Sequence, residues 1–267
     1  MVSLRQGLML GKGGVISLVG SGGKTSLMFR LAHELALAGQ SVLTTTTTKI
    51  YVPLTQQSAN LILCKSVSRM LEMAQAALEK QRHITAAAEK LPDQGKLRGY
   101  TPADIQDIWN SNQFRWILVE ADGAAGRPLK APGEHEPVVP ACTSHLIGMV
   151  GLNGAGQPLN GQWVFRPERF MPLSGLAPEA EITETAIADV LVHEKGIFKN
   201  APAEAMRIAF CNQADAPGNL AAGRRIVRAL TNKGKTGLNR IVIGQTLWDP
   251  PILEVYDLNL ACKLLRS

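Results

Sequence analysis

The sequence predicts an α/β fold, a mainly parallel β-sheet with helices on both faces. Short apolar runs such as Val15–Val19 and Trp116–Val119 recur along the chain, and each has the length of a buried strand. Amphipathic stretches of helical period lie between them, and such alternation covers a parallel sheet on both sides. Composition agrees: 45% of the 267 residues are hydrophobic and 19% are charged, which excludes a disordered chain. The expected organisation is a single domain over residues 1–267 with a loop-rich insertion around 121–178.

Val15–Val19 reads as the first strand. Thr25–Ala38 follows as a helix with Leu27, Leu31 and Leu35 on one stripe, and Gly39 is its stop. Ser41-Val42-Leu43 opens a second strand and Leu61–Leu63 forms a third. Val67–Gln81 has helical spacing, with Met70, Met73, Ala74 and Ala77 on its apolar side. Ile84–Ala87 suits a strand. Thr101-Pro102 opens a short helix, with Thr as N-cap and Pro at the first helical position. Trp116–Val119 and His145–Val150 are strands, and residues 121–140, rich in Gly and Pro, are loop. Residues 151–178 resist assignment and 179–198 have a helical pattern. Arg207–Phe210 is a strand, Asn219–Leu230 a helix and Ile241–Ile243 a last central strand. Parallel sheets place ligands at the carboxyl ends of their strands, so chemistry is expected after Val19, Thr44, Val119 and Phe210.

The net charge of +6 is local in origin, because Lys199–Arg240 holds eight Lys and Arg against two acids. Arg224, Arg225 and Arg228 lie within about one helical turn. No aromatic interleaving or nucleic-acid motif accompanies them, so the patch reads as a solvated helix face and not as a nucleic-acid site. Cys64, Cys142, Cys211 and Cys262 form no C-x-x-C pair, so the expectation is four reduced, mostly buried thiols. No apolar run approaches 18 residues, and Leu8-Met9-Leu10 is too short for a signal peptide. The chain therefore reads as cytoplasmic, with no membrane partner. His33 and His193 read as structural.

Gly20-Ser21-Gly22-Gly23-Lys24-Thr25-Ser26 follows the first strand and opens a helix, the context of a phosphate-binding loop. Its glycines let backbone N–H groups converge on an anion, and the helix amino end adds its positive dipole. Lys24 is placed to reach β- and γ-phosphates, and the Thr25 hydroxyl to ligate Mg²⁺. The fold expectation is thereby sharpened to P-loop NTPase-like. The usual G-x-x-x-x-G-K-[ST] pattern would put glycine where Leu18 stands, and the shorter G-x-x-G-K-T form resembles the loop of Mur-type ligases.

Glu120 and Asp122 stand at the end of the Trp116–Val119 strand, in the Walker B position. Glu120 is expected on the metal side and Asp122 as a water-positioning group, with the two side chains on opposite sides of the segment. Glu120-x-x-Gly123 also resembles an element of nickel-inserting metallochaperone GTPases. The Thr44–Thr48 run offers hydroxyls to metal or phosphate, or simply suits a strand. Asn212-Gln213-Ala214-Asp215 resembles the N-K-x-D base-recognition element of GTPases, with Gln213 in place of the Lys that packs on the base. Arg127, Lys130, Glu134 and His135 lie in a proline-stiffened loop read as the substrate or partner side. Asn153–Asn160 and Arg166-Pro167-Glu168-Arg169 have polar character of the same kind.

These segments resemble the YqeC family. The resemblance rests on G-S-G-G-K-T, T-T-T-T-T-K-I, K-L-R-G-Y-T-P, the long run from Glu120 to Pro140, and G-L-N-G-A-G-Q-P-L before R-P-E. It covers roughly residues 10–245. Asn153 stands where Asp is commoner in the family, and Gln213 where Lys is common. The resemblance implies an accessory role in maturing a selenium-dependent molybdenum hydroxylase, with that enzyme or its maturation proteins as partners. The expected activity is that of a Mg²⁺-dependent nucleotide-binding protein, an NTPase using ATP or GTP. Two alternatives stand beside it: an ATP-dependent small-molecule kinase or ligase, and a nucleotide-sensing module without turnover.

Overall fold

The computed structural model describes residues 2–258, so Cys262 lies outside the described residues. In chain order the elements begin with α1 (Leu4–Gly7), β1 (Gly14–Gly20), α2 (Lys24–Leu37), β2 (Val42–Thr46), β3 (Lys49–Tyr51) and β4 (Leu61–Leu63). They continue with α3 (Val67–Leu78), β5 (His83–Ala87), β6 (Glu89–Leu91), β7 (Lys96–Arg98), α4 (Pro102–Asn110) and β8 (Trp116–Glu120). Then come β9 (Leu129–Lys130), β10 (Thr143–Gly151), β11 (Val164–Phe165), α5 (Pro167–Ser174) and α6 (Glu184–Val192). The last are β12 (Met206–Asn212), α7 (Asn219–Asn232), β13 (Arg240–Gly244) and β14 (Ile252–Asp257).

Nine strands form one sheet in the order β14-β13-β12-β10-β1-β8-β2-β5-β4. Every pairing is parallel except β13 with β14. β1 and β8 are buried at every residue, as strands covered on both faces must be. Ile16, Leu18, Leu118, Met149 and Phe210 pack with α1 and α2 on one face. On the other, Val15, Leu43 and Val119 meet α3 and α4, while Val150, Cys211 and Ile243 meet α5, α6 and α7. The chain leaves β1 through α2 towards β2, whereas β8 leads across to β10 on the opposite side of β1. That divergence is a topological switch point, and it sets the crevice at the carboxyl end of β1.

Two small ladders flank the sheet. β3, β7 and β6 form an antiparallel ribbon, and β9 pairs in parallel with β11. Residues 121–178 thus contribute the central strand β10, the short strands β9 and β11 and helix α5 as well as loops.

Several expectations need correction. The helix expected over 179–198 is only α6: Thr183 caps it through the Ala186 N–H, and Ile197 N–H folds back onto the Val190 carbonyl. Ile241–Ile243 lies in β13, a central strand, and β14, which the sequence did not announce, returns antiparallel to form the edge beside it. Met73 is exposed, since α3 covers the edge pair β4 and β5 and buries only Met70 and Ala74 completely. Of the described cysteines only Cys211 is buried, where burial pushes its thiol up to about 12; Cys64 and Cys142 are half-buried. The basic stretch is balanced by acids from other elements: Arg224 pairs with Glu254, Arg225 with Glu184, Lys233 with Asp189 and Arg240 with Asp257.

Candidate functional site

The loop Gly20–Ser26 crosses from β1 into α2 at the switch point. Gly23 is the N-cap of α2 at φ +125, and a Cβ there would collide with the Asn212 amide, so only glycine fits. No side chain caps this 14-residue helix. Its first N–H groups are therefore orphan donors, aimed where an anion would sit.

Lys24 is buried. Its ammonium donates to the Gly20 carbonyl at 2.6 Å and lies 3.1 Å from Asp122 Oδ1 and 3.9 Å from Glu120 Oε1. The Asp122 Oδ1 contact is an ion pair without aligned hydrogen-bond geometry. Burial works against the charge, but Asp122 and Glu120 outweigh it and hold Lys24 above its ordinary range. Burial pushes the Glu120 carboxyl up, against the pull of Lys24 and of the Thr25 hydroxyl, which donates to Glu120 Oε2 at 2.6 Å.

Glu120 and Asp122 do not diverge as expected. Residues two apart on an extended segment share a side, and both reach Lys24. Their environments differ instead. Asp122 is 1% exposed, accepts from the Gly20 N–H at 2.9 Å and meets Lys130 at 2.9 Å. It is sealed beneath the loop and does not border the hollow in front of Lys24 and Thr25. Glu120 borders a hollow beside Lys24 and Thr25.

The 127–136 loop divides in two. Arg127, Glu134 and His135 are exposed. Lys130 is fully buried, and its ammonium meets the Gly123 carbonyl at 2.5 Å, Glu136 at 2.8 Å and Asp122 at 2.9 Å. Glu136 receives Arg166 through both guanidinium nitrogens, at 2.5 and 3.1 Å, and Arg166 stacks on Phe165. Burial opposes that charge, yet Arg166 and Lys130 bring the Glu136 carboxyl down to about 2. Glu136 and Arg166 were not among the expected site residues. Their only sequence signal is an acid and a base, each beside a proline.

Asn212 braces the loop. Its amide donates to the Gly22 carbonyl at 2.7 Å and to Thr246 Oγ1 at 3.1 Å, and its oxygen accepts from the Thr246 N–H at 2.9 Å. Thr246, at the end of β13, is a further residue the sequence did not single out. A hollow of about 200 Å³ lies here, lined by Asn153, Asn212, Gln213, Asp215, Thr246 and Leu247, with Gly22, Gly23 and Ser26 at its phosphate end. Gln213 adopts φ +70, and its Oε1 is buried without a donor. Asn153 accepts from Asn219 on this side, away from Glu120. In the threonine run, Thr44 bonds His83 and Thr85 and Thr46 bonds the Glu120 carbonyl, so these hydroxyls hold strands together, while Thr47 ties the loop after β2 to the Val138 carbonyl.

Residues 16–168 match the sequence model of the family described as YqeC protein. A chain from Escherichia coli (strain K12), described as uncharacterized protein YqeC, is 34% identical over 216 residues, covering 81% of this chain and 82% of that one. The chain belongs to the YqeC family. Among solved structures it is similar to the signal recognition particle 54 kDa protein from Aeropyrum pernix K1 in complex with GDP, at 15% identity and a TM-score of 0.39, covering 96% of this chain and 47% of that one. It is also similar to FtsY from Mycoplasma mycoides, at 11% identity and a TM-score of 0.36, covering 92% and 64%. The chain spans less than two thirds of the length of either structure. Membership of the YqeC family, with a glycine-rich loop between a buried parallel strand and an uncapped helix, supports nucleotide binding. No helix among the described residues is long and apolar enough to cross a membrane.

Proposed function

We propose that this YqeC-family chain is a Mg²⁺-dependent nucleotide-binding protein, an NTPase of P-loop type built as one domain. The observation that carries the reading is the uncapped amino end of α2, with Lys24, Thr25 and Glu120 gathered around it. The orphan amides and Lys24 bind phosphate oxygens. Asp122 is a positioning residue that holds Gly20 and Lys24 from below. Asn212 fixes the far side of the loop, and the hollow beside it takes the base, with Asp215 and Gln213 Oε1 as acceptors for N–H donors on its edge.

The donor set fits magnesium of one kind only. No group of three or more His, Cys, Asp or Glu that could hold a metal ion occurs among the described residues, so a cation here would ride on phosphate oxygens. Thr25 Oγ1 and Glu120, now 2.6 Å apart, are the two protein oxygens that would face it. The ion would supply charge neutralisation on the phosphates.

The family resemblance directs this activity to maturation of a selenium-dependent molybdenum hydroxylase, with that enzyme or its maturation proteins as partners and the exposed Arg127, Glu134 and His135 as the contact side. A second reading, a kinase or ligase acting on a small molecule, is favoured by the hollow in front of Glu120.

Calorimetric titration with Mg·ATP and Mg·GTP tests the reading. Wild type is expected to bind at least one, and Lys24→Ala to bind it at least about tenfold more weakly, as loss of a charge-assisted contact requires. Equal affinity in the variant would overturn the assignment. A GTP preference would give the Asn212–Asp215 element a base-reading role, and an ATP preference would move the kinase or ligase reading forward.

A further inference from the structure

The hollow in front of Glu120 has a second wall that nucleotide binding does not use. It measures about 260 Å³, near the lower end of the roughly 300–1,000 Å³ common for ligand pockets. Lys24, Thr25 and Glu120 line one side, and Lys49, Tyr51 and Lys96 line the other. Lys49 follows the five threonines of T-T-T-T-T-K-I and Lys96 opens K-L-R-G-Y-T-P, two segments for which the phosphate loop has no need.

The register explains why these side chains converge. Tyr51 lies directly opposite Lys96, and Lys49 is two residues from Tyr51, so all three share one face of the ribbon. Ile50 and Leu97 occupy the other face and are buried. The ribbon is fixed to the sheet next to Glu120. A Cβ at Gly99 would collide with the Thr46 carbonyl, Tyr100 N–H donates to that carbonyl at 3.0 Å, and the Tyr100 hydroxyl donates to the Cys64 carbonyl at 2.8 Å. Thr46 is the register partner of Glu120.

The charges do not cancel on this wall. Glu89, the ribbon's acid, is taken by Lys65 and Arg98. Lys49 reaches only the neutral Gln94 amide oxygen at 3.3 Å, and Lys96 sits over the Tyr51 ring at 4.8 Å. Neither lysine has a carboxylate within ion-pair distance among the described residues. Glu120 across the hollow is engaged by Lys24 and Thr25, so the two ribbon cations beside this concave space keep a net positive charge that attracts a dianion.

We propose that Lys49 and Lys96 bind a second small anion, a phosphate or dicarboxylate group, beside the terminal phosphate of the nucleotide. The placement beside a nucleotide rests on the function proposed above; the anion site itself does not.

The test titrates inorganic phosphate and, separately, malonate into the full chain saturated with Mg·AMPPNP. Wild type is expected to bind one of them, and the Lys49→Gln/Lys96→Gln double variant to bind it at least about tenfold more weakly while keeping its AMPPNP affinity. Phosphate or malonate as the tighter ligand tells the two sources apart. Failure of both anions to bind loaded wild type, or unchanged binding in the double variant, overturns the proposal. So does a parallel loss of AMPPNP affinity, which would give both lysines to the nucleotide itself. If wild type binds no AMPPNP, the titrations are run with Mg·GMPPNP instead, and if it binds neither, the nucleotide reading fails separately. The same titrations on nucleotide-free protein then decide: loss in the double variant but not in Lys24→Ala supports the anion site, and the reverse overturns it.

Discussion

Lys130 and Lys96 each stand in a small ladder beside the main sheet, and each has its ammonium over an aromatic ring, Phe165 at 5.7 Å and Tyr51 at 4.8 Å. Their surroundings are otherwise opposite. Lys130 is fully buried and touches Asp122, Glu136 and the Gly123 carbonyl. Lys96 is half-buried and meets no carboxylate among the described residues. A buried cation must have its hydrogen-bonding and charge satisfied within the fold, because desolvation is otherwise too costly. A half-exposed one can wait for a ligand. The same residue type is thus a structural member in one ladder and a binding group in the other.

Lys130→Met leaves the sealed Asp122 and Glu136 short of a cation, a change that typically costs about 3–5 kcal/mol. Melting should fall by on the order of 10 °C. An unchanged melting temperature would mean that the buried network does not hold the loop.

Glu136 sharpens the same contrast through pH. Its carboxyl is brought down to about 2 from an ordinary value of 4.5, so its contribution is complete above pH 4.5 and is lost as pH falls towards 2. That contribution is on the order of 3 kcal/mol at most. Glu136→Gln should remove this part of the acid-induced loss, seen by comparing urea midpoints of both proteins between pH 5 and about 2.5.

The smallest expected effect lies on the other ladder. Lys96→Gln or Lys49→Gln should change stability by less than about 0.5 kcal/mol, as surface substitutions do. A larger loss in thermal or urea unfolding would make these lysines structural and remove the contrast.

What the sequence made legible was local. Trp116–Val119 is a continuous apolar run and Gly14–Gly20 is interrupted only by Ser17, and the Gly-Lys-Thr turn carries its own chemistry. Thr101, Pro102 and Asp104 announce α4 within four residues, and the capping box is present. What was missed depends on partners far along the chain. The ribbon strands are three residues each: β6 and β7 pair locally, but β3 joins them only by pairing across more than 40 residues between Tyr51 and Lys96. Arg166 finds Glu136 across 30 residues. β14 alternates only weakly in burial and gains its place from β13. In the candidate site, the glycine-rich loop and Glu120 could be placed from sequence. The burial of Lys130 and the sealing of Asp122 could not, since both follow from a loop folding back beneath β1.

The contact between Gly99 and the Thr46 carbonyl has a mechanical consequence. Backbone meets backbone there with no side chain between, so no rotamer can lengthen or shorten the join. The span from the ribbon backbone to the sheet beside Glu120 is accordingly set as in a fixed gauge, and only the lysine side chains can adjust to the length of what lies across it.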